Sequence, residues 1–158
     1  MSQSIPLLKD RFETTKAILV PALATNLAST SKPVQKGARG TLDAFIAHTG
    51  APTIVPTLVN VAVHGNPRVK AAVFNCVGDL VEDVASARPA TLTRHVLPGV
   101  LQAIDGCKGD VQAAVHRVLR ELLRTVGPDL VRQIESLSAS SGITASGRRQ
   151  AVAILNRM

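Results

Sequence analysis

Three stretches of this chain align without a gap. Leu19-Val20-Pro21-Ala22-Leu23, Ile54-Val55-Pro56-Thr57-Leu58 and Val96-Leu97-Pro98-Gly99-Val100 each carry a central proline, and each proline is followed 13 residues later by a valine: Val34, Val69 and Val111. Successive copies lie 35 and then 42 residues apart at both landmarks. Two landmarks that keep one offset three times mark a repeated unit. A unit this short cannot bury its apolar face alone, so the copies must stack.

The valine opens a second apolar stripe. In the middle copy Val69, Ala72, Val73, Cys76, Val77, Leu80, Val81 and Val84 recur at spacings of three and four, and Val111, Ala114, Val115, Val118, Leu119, Leu122, Leu123 and Val126 fill the same offsets in the third copy. The first copy has weaker members, Val34, Gly37, Ala38, Thr41, Leu42, Phe45, Ile46 and Thr49. This period places all eight side chains on one face of an α-helix. Each unit is therefore a helix A carrying the proline, a turn, and a longer helix B.

Punctuation supplies the boundaries. His64-Gly65-Asn66-Pro67 and Gly106-Cys107-Lys108-Gly109-Asp110 separate A from B, with Asn66 placed to cap a helix that starts at Pro67 and Asp110 near the start of the next. Gly50, the segment 87–89 and Gly127-Pro128-Asp129 separate one unit from the next. The prolines within helix A should kink or break it, since each removes a donor and crowds the preceding turn. A further helix is expected over residues 7–18, covering the apolar face of the first unit. A degenerate fourth pair is expected over 128–158, with a helix over 130–137, a Ser/Gly-rich turn over 138–146, and a final helix from Gly147 that turns Ala151, Ile154 and Leu155 inward.

Composition agrees with a stack of thin layers. Of 158 residues 46% are hydrophobic and 18% charged, which is core enough for one domain, yet three Phe with no Tyr or Trp hold the aromatic fraction at 2%. The expected fold is an all-α superhelix forming a single domain over 1–158, with units at about 19–50, 51–88, 89–127 and 128–158. The apolar stripe is still running at Ile154-Leu155, from which a continuing array, a partner or a second copy is expected to cover that end. Charge within the first nine residues and no apolar run of about 20 residues lead to the expectation of a soluble intracellular chain.

Prolines in helix A and a valine followed by a basic residue at the start of helix B, as in Val69-Lys70, are what the HEAT repeat carries, and residues 19–126 resemble it. Val34-Gln35 and Val111-Gln112 depart from the basic pair, and Ser29, His64 and Gly106 stand where the family usually has an aspartate. Within that family, Gly65-Asn66-Pro67-Arg68-Val69-Lys70-Ala71-Ala72-Val73, Leu97-Pro98-Gly99-Val100-Leu101 and Gly109-Asp110-Val111-Gln112-Ala113-Ala114-Val115 resemble the later repeats of TOG domains of microtubule polymerases, CLASP proteins and ciliary crescerin-like proteins. The resemblance implies a HEAT-repeat solenoid that binds tubulin through its row of A-to-B turns, at the cytoskeleton, a cilium or the centrosome. TOG domains usually have six repeats and a tubulin-contacting aromatic on the first turn; this chain has about four units and no such aromatic.

The excess charge falls on those turns. Residues 31–36, 64–70, 106–110 and 142–149 hold Lys32, Lys36, Arg68, Lys70, Lys108, Arg148 and Arg149 against Asp110 alone, a surplus of six out of the chain's net +7, whereas the opposite turns balance Asp83 and Asp129 against Arg88. These seven cations are the candidate tubulin-binding residues: a basic ridge draws an acidic partner, and tubulin is strongly acidic. Phosphate-backbone binding of nucleic acid is the competing expectation, with only Phe12, Phe45 and Phe74 available to stack on bases. A HEAT-type scaffold for another acidic protein is the third. Arg117, Arg120 and Arg124, with Glu121 among them, read as a solvated face of the third helix B or as a second contact patch.

Chemistry is not expected. Cys76 and Cys107 form neither a disulfide framework nor a CxxC unit. His48, His64, His95 and His116 lack metal-ligand spacing, and no phosphate loop, GxSxG or HExxH occurs. Cys76 falls on the inward stripe and Cys107 in a turn. The expectation is a non-enzymatic binding module with no cofactor and no metal.

Overall fold

The computed structural model describes residues 4–137 and 142–158, and side chains from Lys9 onward. Eight α-helices and no strand are found among the described residues: α1 (Ser4–Leu27), α2 (Lys32–Thr49), α3 (Ala51–His64), α4 (Pro67–Ala87), α5 (Leu97–Ile104), α6 (Gly109–Val126), α7 (Asp129–Ser136) and α8 (Ala145–Leu155), with a π-helical turn, Leu92–Val96, leading into α5. None is long and apolar enough to cross a membrane. Residues 138–141 of the expected Ser/Gly-rich turn, and residues 1–3, lie outside the described residues.

The helix starts follow their signals. Asn66 caps α4, its Oδ1 accepting from the Val69 N–H at 3.0 Å, with Pro67 at the first position where no donor is needed. Thr144 caps α8 by accepting from the Gly147 N–H at 2.8 Å. Gly50 and Gly127, at φ of 88° and 80°, end α2 and α6 in a conformation that costs glycine little.

Two helical expectations need correction. The separate helix over 7–18 and the first helix A are one unbroken element, α1, with Pro21 inside it. The carbonyl that Pro21 leaves without its helical partner belongs to Ala17, an exposed residue, so water can take the bond and the helix continues. Its N-terminal half covers less than expected: Phe12 stacks on Phe45 of α2 with ring centroids 6.0 Å apart, but Ile18 is 70% exposed. Among the three proline-bearing helices, π-helical bonding occurs only in the third, where the Leu97 N–H reaches back to the Leu92 carbonyl, just ahead of Pro98. Pro56, like Pro21, lies within a continuous α-helix.

The core lies between the paired helices. α1 packs on α2, α3 on α4 and α5 on α6; α1, α3 and α5 are successive neighbours, and α4 and α6 pack along each other most extensively. α3 and α5 meet so closely at Gly99 that an added Cβ would fall 2.1 Å from Val59 Cγ1. The last pair is not a simple fourth copy. α8 packs on α5 and α6, and α7 packs on α6 and α8. Gly147 permits the α8 contact, since a Cβ there would stand 3.0 Å from the Leu101 carbonyl oxygen. Ala151 and Leu155 are buried as expected, whereas Ile154 is half-buried.

Candidate functional site: a basic trough at the helix starts

The seven predicted cations all sit at or beside helix N-termini. Lys32 and Lys36 begin α2, Arg68 and Lys70 begin α4, Lys108 precedes α6, and Arg148 and Arg149 lie in the first turns of α8. None of them makes an ion pair among the described residues.

Four of the seven line one trough. A hollow of about 770 Å³ between α2 and α4 is lined by Lys32, Lys36, Arg39 and Gly40 of α2, with Leu27, Ala72 and Cys76 at its floor. It runs into a second hollow of about 420 Å³ lined by Arg68, Lys108 and Asp110; Leu27, Gln35, Ala72 and Asn75 line both. Gln35 fixes the junction, its Nε2 donating to the Leu27 carbonyl at 2.9 Å.

The other three stand apart. Arg148 and Arg149 line a separate hollow of about 430 Å³ beside Glu135 of α7. Arg148 is also committed structurally, donating through Nη1 to the Leu137 carbonyl at 2.6 Å. Lys70 faces the following turn. It favours the Cys107 thiolate, but burial outweighs it and, with Asp105 nearby, holds that thiol above its ordinary pKa. Asp105 lies one residue outside the stretch counted in the sequence and adds a carboxylate to this edge, where Thr144 donates to it. The cations that share one hollow are therefore those at the starts of α2, α4 and α6, while Arg148 and Arg149 stand at the start of α8.

Sequence reading missed a charged ladder that ties the B helices to one another. Asp79 of α4 takes Arg39 Nη1 of α2 on Oδ2 at 3.0 Å and Arg117 Nη2 of α6 on Oδ1. Arg39 also holds Asp43 at 2.9 Å, and Arg117 Nη1 donates to the Asn75 carbonyl at 2.9 Å. Desolvation works against the Asp79 carboxylate, but Arg117 and Arg39 outweigh it and hold its pKa below the ordinary carboxylate value. Arg124 meets Glu82 of α4 at 3.2 Å and Glu121 at 2.9 Å. Arg117 and Arg124, read as a solvated face or contact patch, are thus tied between helices.

Cys76 is 1% exposed beneath this ladder. Burial pushes its thiol up to about 11, with Asp79 and Asp43 adding to the effect and Arg39 opposing it. No group of three or more His, Cys, Asp or Glu residues that could hold a metal occurs among the described residues. Phe74 is fully buried and Phe12 is stacked on Phe45, so the aromatic rings serve packing. No family model, curated protein or solved structure matches this chain.

Proposed function

We propose that this chain is a HEAT-type, TOG-like α-solenoid module that binds an acidic protein, tubulin or microtubules foremost, through the cationic starts of its B helices, and carries out no reaction. One observation carries the reading. Arg39, Arg117 and Arg124 are spent on Asp79, Glu82 and Glu121, while Lys32, Lys36, Arg68 and Lys108 are gathered in one trough with no ion-pair partner among the described residues. Unpaired charge of one sign in a concave surface raises the local potential and steers an oppositely charged partner. Stacking of single-stranded bases is disfavoured because the three phenylalanines are engaged in packing, which leaves phosphate-backbone binding as the nucleic-acid alternative, to be separated by a gel shift with duplex DNA.

Co-sedimentation with microtubules across a salt series tests it. Binding is expected at low salt, weakening as salt rises, and Arg68→Glu with Lys70→Glu should reduce it by about tenfold or more. Folded protein that stays wholly in the supernatant at low salt removes tubulin from the reading.

A further inference from the structure

The trough has a shape as well as a charge. α2 turns Lys32, Gln35, Lys36, Arg39, Gly40 and Asp43 toward it, a face that repeats every three and four residues and extends about 16 Å at 1.5 Å per residue. Ala72, Asn75 and Cys76 of α4 form the facing wall. The residues along its bottom are small or apolar, and an added Cβ on Gly40 meets nothing within 4 Å. α2 and α4 thus lie side by side with a gap between them, whereas α4 and α6 close tightly.

Charge along the trough is graded. At the far end Arg39 is neutralised by Asp43 and Asp79. At the turn end Lys32, Lys36, Arg68 and Lys108 face Asp110 alone, a surplus of three positive charges. Leu27 and Ala72 line both hollows and lie between those cations and the Arg39–Asp43–Asp79 cluster, so a ligand that fits carries carboxylates at one end and apolar side chains in the turns beside them.

We propose that the α2–α4 trough is a docking groove for a short acidic amphipathic helix of a partner protein, seated with its carboxylates at the Lys32–Lys108 end and its apolar side chains in the following turns, over Leu27, Ala72 and the Gly40 gap. Two ridged helices, tied at the far end by Arg39 and Asp79 and open toward the turns, accept a third helix along the open part by the same interdigitation that joins α4 to α6. The site rests on the reading of this edge as a protein-binding surface and specifies the form of the partner that enters beside it.

The test uses a fluorescein-labelled helical peptide of about 12 residues, matched to the trough length, with glutamates clustered at one end and two leucines one turn apart in the turns beside them. A scrambled peptide of the same composition and polyglutamate serve as controls, and binding is read by fluorescence anisotropy with the full chain. The patterned peptide should bind more tightly than both controls. Gly40→Leu, which fills the gap from a position with open space, should weaken it by about tenfold or more. Lys32→Glu with Lys36→Glu should weaken it similarly, and Gly37→Leu, outside the groove lining, should leave it unchanged. Equal binding of polyglutamate and the patterned peptide, or insensitivity to Gly40→Leu, overturns the groove; so does failure of the patterned peptide to bind. Microtubule binding that survives Gly40→Leu while peptide binding is lost separates this site from the turn edge. Loss of microtubule binding with Arg68→Glu and Lys70→Glu tests the edge independently.

Discussion

α4 and α2 carry the same stripe at the same offsets, and they have become different kinds of helix. In α4, seven of the eight stripe positions are buried, and Ala71, Phe74 and Gly78 bury further faces, so the helix is enclosed by neighbours. In α2 only Ala38 and Leu42 are buried, Phe45 and Ile46 are half-buried, and Val34 is 45% exposed. The cause is in the neighbours: α4 is flanked by α1, α3 and α6, whereas α2 packs chiefly on α1 and α3, so Val69 is buried while the identical Val34 at the same offset stays exposed. Periodicity thus settles which face of a helix turns inward, and the number of helices packed against it settles how completely that face closes. The loosely closed pair leaves the trough.

The comparison can be broken most forcefully at Phe74. Phe74→Ala should cost about 3–5 kcal/mol, since the ring is wholly buried and its neighbours cannot all collapse into the space; thermal unfolding followed by circular dichroism measures it. A loss below about 1 kcal/mol would show that α4 is no more enclosed than α2.

Two helical glycines sharpen the contrast. Gly99→Ala should destabilise by about 1–3 kcal/mol, because its methyl group collides with Val59 where α3 and α5 touch. Gly40→Ala should stabilise by about 0.5–1 kcal/mol, since the trough leaves room and only the helix-propensity gain remains. The same exchange with opposite signs, read in parallel denaturant titrations, distinguishes a closed helix contact from an open one.

The smallest expected effect concerns the tie between the two regions. Asp79→Asn should cost about 1 kcal/mol, the worth of partly exposed ion pairs to Arg39 and Arg117. The Asp79 pKa is depressed on folding, so its contribution is present above the ordinary aspartate pKa of about 3.9 and fades as pH falls through the lower folded value. The wild-type advantage over Asp79→Asn should therefore persist at neutral pH and shrink in acid, while a constant difference across that range would place the stabilisation elsewhere.

The helical class, the B-helix faces and the turn positions were legible in the sequence because each depends on local spacing: Val69 through Val84, Asn66-Pro67, Gly50 and Gly127. Other features depend on neighbours that spacing does not specify. Continuity of α1 through Pro21 follows from the exposure of Ala17. The seating of α8 on α5 follows from the Gly147 and Asp105 contacts, which a stripe cannot announce. Arg39, Asp79 and Arg117 occupy different offsets in their copies, so comparing units does not flag them as partners. For the candidate site, four of the seven cations share a trough, while Lys70, Arg148 and Arg149 do not line it.

Cys76 turns the open side of the molecule into its own reporter. With its thiol titrating near 11 and its sulfur shielded under the Arg39–Asp79 bridge, an alkylating reagent at neutral pH must wait for a breathing motion that parts the first two hairpins. Alkylation kinetics at this sulfur, with half-buried Cys107 as an internal clock, would then time how often the cleft gapes, and an occupant wedged in it would slow the reaction.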